Sequence, residues 1–255
     1  MRKYYAGIII LALVLSSSIA WAAEDKNELL KDIMGKKSIM WIGPHPDDEI
    51  AVAGTLALAC ADNGNKGYIV CLGSLQNIMR GVNIGLRKDA IDYFSKKYFI
   101  EYKFLDAKFT VMTPKVLKAL RSKLITFIEQ NKPAVIITFS PAGYYGNRNH
   151  IATSRLVTEV VSDLSYKPKL YYVINMDQEM VRPVYEYEEY PPSDIVNLDV
   201  YSVQIGKTLW DAKLDIWQKY SSSVPIIKGF LSDKKRIKRS DHKEYFRKEK
   251  VVKKQ

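Results

Sequence analysis

One imidazole and three carboxylates fall within five consecutive positions of this chain. They are His45, Asp47, Asp48 and Glu49, inside the run S-I-M-W-I-G-P-H-P-D-D-E-I-A-V-A-G at 38–54. His45 and Asp48 stand three apart on a tight turn, a spacing that lets both converge on one metal ion. Asp47 then points elsewhere, free to handle a proton. Three histidines occur in all, the others being His150 and His242. Two histidines and one carboxylate are a common ligand set for a catalytic zinc, with the fourth position left to water. His45, Asp48 and His150 are therefore the candidate ligands, provided the two rings meet within about 5 Å, so that bonds of ~2 Å reach a shared ion. A plainer reading competes: aspartates ahead of a helix commonly cap it and complement its dipole, and a lone histidine is usually a satisfied structural residue.

The surrounding pattern says how such residues would be positioned. Apolar runs over 39–42, 68–72, 102–105, 134–139 and 170–174 read as buried strands, with a further extended piece at 109–112. Between them, 50–63, 84–97, 114–130 and 151–164 carry helical spacing, and 24–37 is a short lead-in helix. Thr113-Pro114 opens the third of the main helices as N-cap and first residue. Strands and helices alternating at this spacing predict an α/β, Rossmann-like fold. Its sheet is mostly parallel, of about five to seven strands with helices on both faces. The amphipathic stretch 207–220 adds a C-terminal helical extension, and 184–192, rich in Tyr, Glu and Pro, reads as a loop or edge hairpin. Right-handed crossovers put every strand C-terminus on one rim, where open α/β sheets bind ligands. His45 follows the first strand and His150 opens the helix after the fourth, so both belong to that rim. A dinucleotide site is excluded: no G-x-G-x-x-G follows the first strand, and an Asp-rich turn repels a pyrophosphate.

The P-H-P-D-D-E stretch, continued by Gly54-Thr55-Leu56, resembles the signature of the PIG-L/LmbE-like zinc-dependent N-deacetylases. The resemblance covers about 38–223, with strong motifs only at the two metal segments. It implies that His45, Asp48 and His150 bind Zn2+, the second Asp of the pair being the ligand, and that Asp47 is the general base. It also implies Arg87 as a substrate contact, with Arg80 a competing candidate and a plain surface charge the alternative for either. Zinc lowers the pKa of bound water to about 7 and polarises a carbonyl; a neighbouring carboxylate accepts the water proton and passes it to the leaving amine. The resulting oxyanion needs the metal plus at least one donor. Glu49 reads as a helix N-terminal charge or as a partner behind the ligands.

The second segment departs from the family, which commonly carries H-P-D-H where this chain has Asn147-Arg148-Asn149-His150. The metal position survives, whereas the auxiliary His is Asn147 and its supporting Asp is Asn149. Asn147 can still donate a hydrogen bond, and Tyr144, Tyr145 or Arg148 could also reach the site, Tyr145 and Arg148 being placed with the substrate. Either Asp47 serves alone as base and acid, or activity is weak or absent. The resemblance implies a zinc-dependent hydrolase that removes an N-acetyl group from an amino sugar of the GlcNAc type in a glycan, glycolipid or glycoside. Its rivals are a zinc-retaining glycan-binding protein without turnover and a deacylase of a non-sugar amide.

Composition bounds the rest. With 255 residues, 47% of them hydrophobic, the chain can build one good-sized core. Arg2 and Lys3, the apolar run 6–15, three serines and Ala20-Trp21-Ala22 form a secretory signal peptide over 1–22, an uncleaved membrane anchor being the alternative. The expectation is therefore an exported, periplasmic or secreted protein with no membrane span after cleavage. Residues 23–225 form the deacetylase domain and 226–255 a basic C-terminal tail. Of the net charge of +11, about eight units lie between 228 and 255, where twelve Lys/Arg face four Asp/Glu. That tail is either a solvated helix or a contact for an anionic surface; nucleic acid is not expected for an exported chain. Cys60 and Cys71 sit in apolar stretches and read as core residues, with a disulfide open to an exported protein.

Overall fold

The structure, a computed structural model, describes residues 27–35, 37–73, 84–107, 113–174, 192–233 and 242–249. Five strands pair in parallel: β1 (Ile39–Gly43), β2 (Gly67–Gly73), β3 (Ile100–Ala107), β4 (Val135–Phe139) and β5 (Lys169–Ile174). Every residue of β1, β2 and β4 is buried, which is why these strands read as unbroken apolar runs. Their side chains alternate between two cores. Ile39, Trp41, Ile69, Val135 and Ile137 point to one face; Met40, Ile42, Tyr68, Val70 and Ile136 point to the other.

Helices close both faces, as expected. They are α1 (Glu28–Met34), α2 (Ala53–Ala57), α3 (Ile84–Tyr98), α4 (Pro114–Asn131), a single turn α5 (Gly143–Gly146), α6 (Arg148–Asp163), α7 (Leu209–Tyr220) and α8 (Pro225–Ser232). The first core takes residues from α1, α2, α3, α7 and α8; the second takes Val116, Leu120, Leu124 and Ile128 of α4 and Leu156, Val157 and Val160 of α6. Thr113 caps α4, its hydroxyl accepting from the Val116 N–H, with Pro114 at the first position.

The sheet order is β3-β2-β1-β4-β5-β9-β6, with β6 at Asp194–Asn197 and β9 at Lys243–Lys248. A two-residue ribbon, β7 (Tyr201–Ser202) with β8 (Lys207–Thr208), stands apart from it. Because β1 is followed by β2 on one side and flanked by β4 on the other, the direction of winding reverses between β1 and β4. The C-terminal ends of these two strands therefore frame the crevice in which such sheets bind ligands.

Two expectations need correction. The helix read over 50–63 is three pieces: a 3₁₀ turn over Asp48–Val52, then α2, then a π turn over Leu58–Asp62. The backbone and side-chain amides of Asn63 both donate to the Leu58 carbonyl, which makes the i→i−5 bond of that π turn. The segment beyond 225, read as a basic tail that is either a solvated helix or a contact for an anionic surface, contributes the helix α8 and then, where no strand was expected, β9. This last strand runs antiparallel between β5 and β6, pairing Val173 and Asp194 with Phe246. Glu244 and Phe246 point inward while the Lys and Arg positions stay at the surface.

Cys60 and Cys71 are free and buried, as core residues. Burial pushes the Cys60 thiol up to about 12 and the Cys71 thiol well above its usual range. No helix among the described residues is long and apolar enough to cross a membrane. The signal peptide at 1–22, Arg80, the extended piece at 109–112, the segment 184–191 and the basic stretch 234–241 lie outside the described residues.

Candidate active site

The turn after β1 builds the centre of the site. Gly43 and Pro44 stop the strand. The Gly73 N–H then donates to the Pro44 carbonyl across 2.9 Å, holding the turn against the end of β2. The His45 N–H donates to Asp48 Oδ2 at 2.7 Å, closing the three-residue loop. That closure sets the Asp48 carboxylate beside the His45 ring, 3.2 Å from its Nδ1. Asp47 is left with φ of 139°, a conformation costing of order 1–3 kcal/mol for a non-glycine residue, of the kind that clusters at functional sites. Two contacts hold it there: its N–H donates to Glu49 Oε2 at 3.1 Å, and its carboxylate meets Arg87 Nη1 at 3.2 Å.

Across the crevice, α6 begins at Arg148 and carries His150 in its first turn. The Asn147 side-chain oxygen caps this helix by accepting the Asn149 N–H at 2.8 Å. The His150 ring is buried and lies flat on Phe139 at the end of β4, with centroids 3.9 Å apart and planes 2° apart. Both ends of the crevice thus fix a histidine, and Asp48 stands between them. Asp48 Oδ2 is 3.2 Å from His45 Nδ1 and Asp48 Oδ1 is 3.2 Å from His150 Nε2.

Ligand atoms of His45, Asp48 and His150 all lie within 4.8 Å of one another. The ring centroids of the two histidines are 5.7 Å apart, a little beyond the ~5 Å set from sequence, but the donor atoms, not the centroids, decide. Around a tetrahedral ion with bonds of ~2 Å, donors sit about 3.3 Å apart, so a small contraction of the trio completes the geometry. A second observation fits a cation. Neither ring nitrogen of His150 has a hydrogen-bond partner although both are buried; its contact with Asp48 is an ion-pair approach without hydrogen-bond alignment. A buried imidazole left this way costs about 1–3 kcal/mol, which a metal bond at Nε2 would offset. The donor set of two imidazoles and one carboxylate suits zinc.

The electrostatics separate the two aspartates. Burial raises the Asp48 carboxyl, but the charges of His150 and His45 overcome it and hold the group well below the usual carboxylate range. Burial, and then the charge of Asp48, pushes Asp47 up to about 8, against the pull of Arg87. Two adjacent carboxylates thus have their proton affinities pulled apart, the pattern that assigns one to charge and the other to proton transfer. A cation held by the trio would draw Asp47 back down.

Residues 40–161 match the profile of the family described as PIG-L: GlcNAc-PI de-N-acetylase. These residues are a PIG-L domain. The 1D-myo-inositol 2-acetamido-2-deoxy-alpha-D-glucopyranoside deacetylase of Mycolicibacterium gilvum (strain PYR-GCK) is 34% identical over 58 residues, 22% of this chain and 20% of that relative. The chain therefore spans about a fifth of the length of that curated relative. Three solved structures share the fold. The A40926 pseudoaglycone deacetylase is 13% identical with a TM-score of 0.61, covering 83% of this chain and 96% of that one. The N,N'-diacetylchitobiose deacetylase from Pyrococcus horikoshii is 16% identical with a TM-score of 0.57, covering 91% and 92%. The 4-carboxy-2-hydroxymuconate hydratase from Pseudomonas putida is also 16% identical, with a TM-score of 0.56, covering 86% and 99%. At such identities the likeness speaks for the fold, and the hydratase shows that the fold carries more than one reaction.

Within the PIG-L domain the structure brings together His45, Asp47, Asp48 and His150, with Arg87 behind them. Arg87 is buried, and its Nη1 also donates to the Pro46 carbonyl at 2.9 Å. It is engaged with Asp47 and its turn, where the resemblance implied a substrate contact. Tyr145 stands edge-on to His150 at 5.0 Å between centroids, and its hydroxyl accepts from Asn147 Nδ2 at 3.3 Å. Asn147 thus spends its oxygen on the helix cap and directs its amide nitrogen to Tyr145. Arg148 is exposed on the rim.

Two contacts escaped the sequence. Asn149 Nδ2 lies 2.9 Å from His45 Nε2. The buried Glu49 accepts from the Tyr220 hydroxyl at the end of α7, which ties the C-terminal helix to the motif. Burial raises the Glu49 carboxyl above its usual range, against the lowering effect of that hydroxyl. The Asn of N-R-N-H was a visible signal for the first contact; nothing local pointed to the second.

Proposed function

We propose that this protein is an exported, zinc-dependent hydrolase that removes an N-acetyl group from an amino sugar of the GlcNAc type. The observation that carries the reading is the convergence of His45, Asp48 and His150 at the switch point of the sheet with Asp47 beside them. The family description and the names of two of the three deacetylases similar to this chain, those acting on an acetamido-glucopyranoside and on N,N'-diacetylchitobiose, support an N-acetylated sugar as the substrate. Export rests on the leader pattern at 1–22, and any anionic contact on the basic residues between 228 and 255.

His45, Asp48 and His150 would hold the ion, which when bound supplies a Lewis acid for the acetamide carbonyl and acidifies water. Asp47 takes the proton of the attacking water at its carboxylate and returns it to the amine nitrogen as the C–N bond breaks. Its strained backbone and the Arg87 contact hold that carboxylate in place, so little reorganisation precedes transfer. Tyr145, edge-on to His150, and Asn147, whose amide donates to the Tyr145 hydroxyl, would be the donors for the substrate oxygen as it develops charge.

One observation favours a second reading. Asn147, standing where the family has an imidazole, cannot carry a proton and is engaged as a helix cap. That suits a zinc-retaining protein that binds glycan with weak or absent turnover. Acetate release from N-acetylglucosamine-containing glycans, glycolipids and glycosides, compared between the native chain and Asp47→Asn, decides. Release lost in the variant supports the hydrolase; glycan binding without release from the native chain overturns it.

A further inference from the structure

We infer that Asn149 is the residue that positions His45 for metal binding, and that its neutral amide sets how tightly the centre holds the ion. The inference rests on the metal centre proposed above. Both ring nitrogens of His45 face protein groups: Nδ1 is 3.2 Å from Asp48 Oδ2, and Nε2 is 2.9 Å from Asn149 Nδ2. An imidazole can offer a lone pair to a metal from one nitrogen only if the other carries the proton and finds an acceptor for it. Nδ1 is the nitrogen that faces Asp48, the central member of the trio, so the partner at Nε2 decides the tautomer. That partner is Asn149.

Its position is not accidental to the fold. Asn149 immediately precedes His150 in the first turn of α6, and its backbone N–H is pinned by the Asn147 cap at 2.8 Å. One helix turn therefore delivers one metal ligand and the hydrogen-bond partner of the other. The chemistry of that partner matters because an amide carries a donor and an acceptor on the same carbon. With Nδ2 toward the ring, it donates to Nε2 and leaves the proton on Nδ1, where it faces Asp48. Turned over, it accepts from Nε2–H and frees Nδ1 for a cation. The amide serves both tautomers, whereas a carboxylate at this place could only accept and would commit the ring to the metal-binding form. Partners of this kind change metal affinity by about 10–100-fold.

The test is Zn2+ affinity of the full-length native chain, N149D and N149L, measured by competition with a chromophoric chelator. The His45 tautomer is read from imidazole nitrogen NMR shifts, and metal-free melting temperatures check the fold. N149D should bind Zn2+ at least tenfold more tightly than the native chain and hold the Nε2–H tautomer without metal. N149L, which removes both donor and acceptor, should bind at least severalfold more weakly while melting at a similar temperature. Equal affinities within about twofold across the three would overturn the inference and leave the metal centre standing. Absence of Zn2+ binding in all three, matching a His150→Ala control, would remove the metal centre itself and the inference with it.

Discussion

Replacing Glu244 by alanine should destabilise the protein by about 3–5 kcal/mol, as expected when one partner of a buried ion pair is removed. Glu244 lies on β9 and its side chain is 1% exposed; the facing Lys213 side chain on α7 is 7% exposed, with Nζ 2.7 Å from Oε1. The same carboxylate accepts the Gly54 N–H at 3.0 Å, the Thr55 N–H at 2.9 Å and the Thr55 hydroxyl at 2.6 Å. Alanine therefore strands an ammonium, left with the Ala51 carbonyl at 3.2 Å and the Trp217 ring, whose centroid is 5.6 Å away. It also strands two backbone donors in α2, directly after the metal motif. Each orphaned donor costs about 1–3 kcal/mol alone, but these costs overlap with the stranded charge and are not summed. A loss near 4 kcal/mol is a large part of a typical 5–15 kcal/mol stability. It should lower Tm by about 8–16 °C for a chain of this size. Urea unfolding of native and variant chains at one pH measures it, with an unchanged slope confirming two-state behaviour. Lys213→Met should cost less, about 2 kcal/mol, because Glu244 keeps its other three donors. A loss below about 1 kcal/mol for Glu244→Ala would refute the reasoning. It would mean that Lys243–Lys248 lies off the sheet as the solvated tail that its charge suggests.

Asp47→Asn should retain the metal and lower turnover by about 10²–10⁴-fold, the usual loss when a positioned acid–base group is removed; acetate release and elemental analysis on the same sample check both halves. Asp32 gives a pH signature. Burial raises its carboxyl, but Lys169, Lys37 and Tyr171 outweigh this and leave it below its ordinary value of 3.8. A depressed carboxyl stabilises above its unfolded value and loses that contribution as pH falls through the folded one. Asp32→Asn should therefore cost about 1–2 kcal/mol at pH 7, allowing for the half-exposed lysines, and much less near pH 3. A gap that persists undiminished at pH 3 would contradict this. Gly73→Ala would set a Cβ 2.8 Å from the Pro44 carbonyl oxygen, a backbone atom that cannot swing aside. It should cost about 1–3 kcal/mol and weaken zinc binding by displacing the turn that bears His45, readable in one chelator titration.

How far sequence alone reached depended on where the deciding contacts lie. The turn at 43–49, the buried strands and the rim shared by His45 and His150 follow from local signals: a glycine-proline stop, apolar runs and alternating elements. β9 was missed for a physical reason. Its period-two pattern is present in K-E-Y-F-R-K, but the inward position beside Phe246 is Glu244, which is buried only because Lys213 arrives from a distant helix to meet it. Charge that is neutralised across 31 residues of sequence reads locally as solvent-facing charge. Arg87 was similarly legible as a functional arginine and not as the partner of Asp47, because that pairing depends on how α3 packs against the turn. The Glu49–Tyr220 bond spans 171 residues, and no local rule connects them.

Everything proposed for the site depends on one ion being gripped by His45, Asp48 and His150. Elemental analysis of the purified native chain against a His45→Ala/His150→Ala double variant measures this directly. The account expects one zinc per chain in the native protein and none retained by the variant, with both chains folded. Equal zinc content in the two would contradict it.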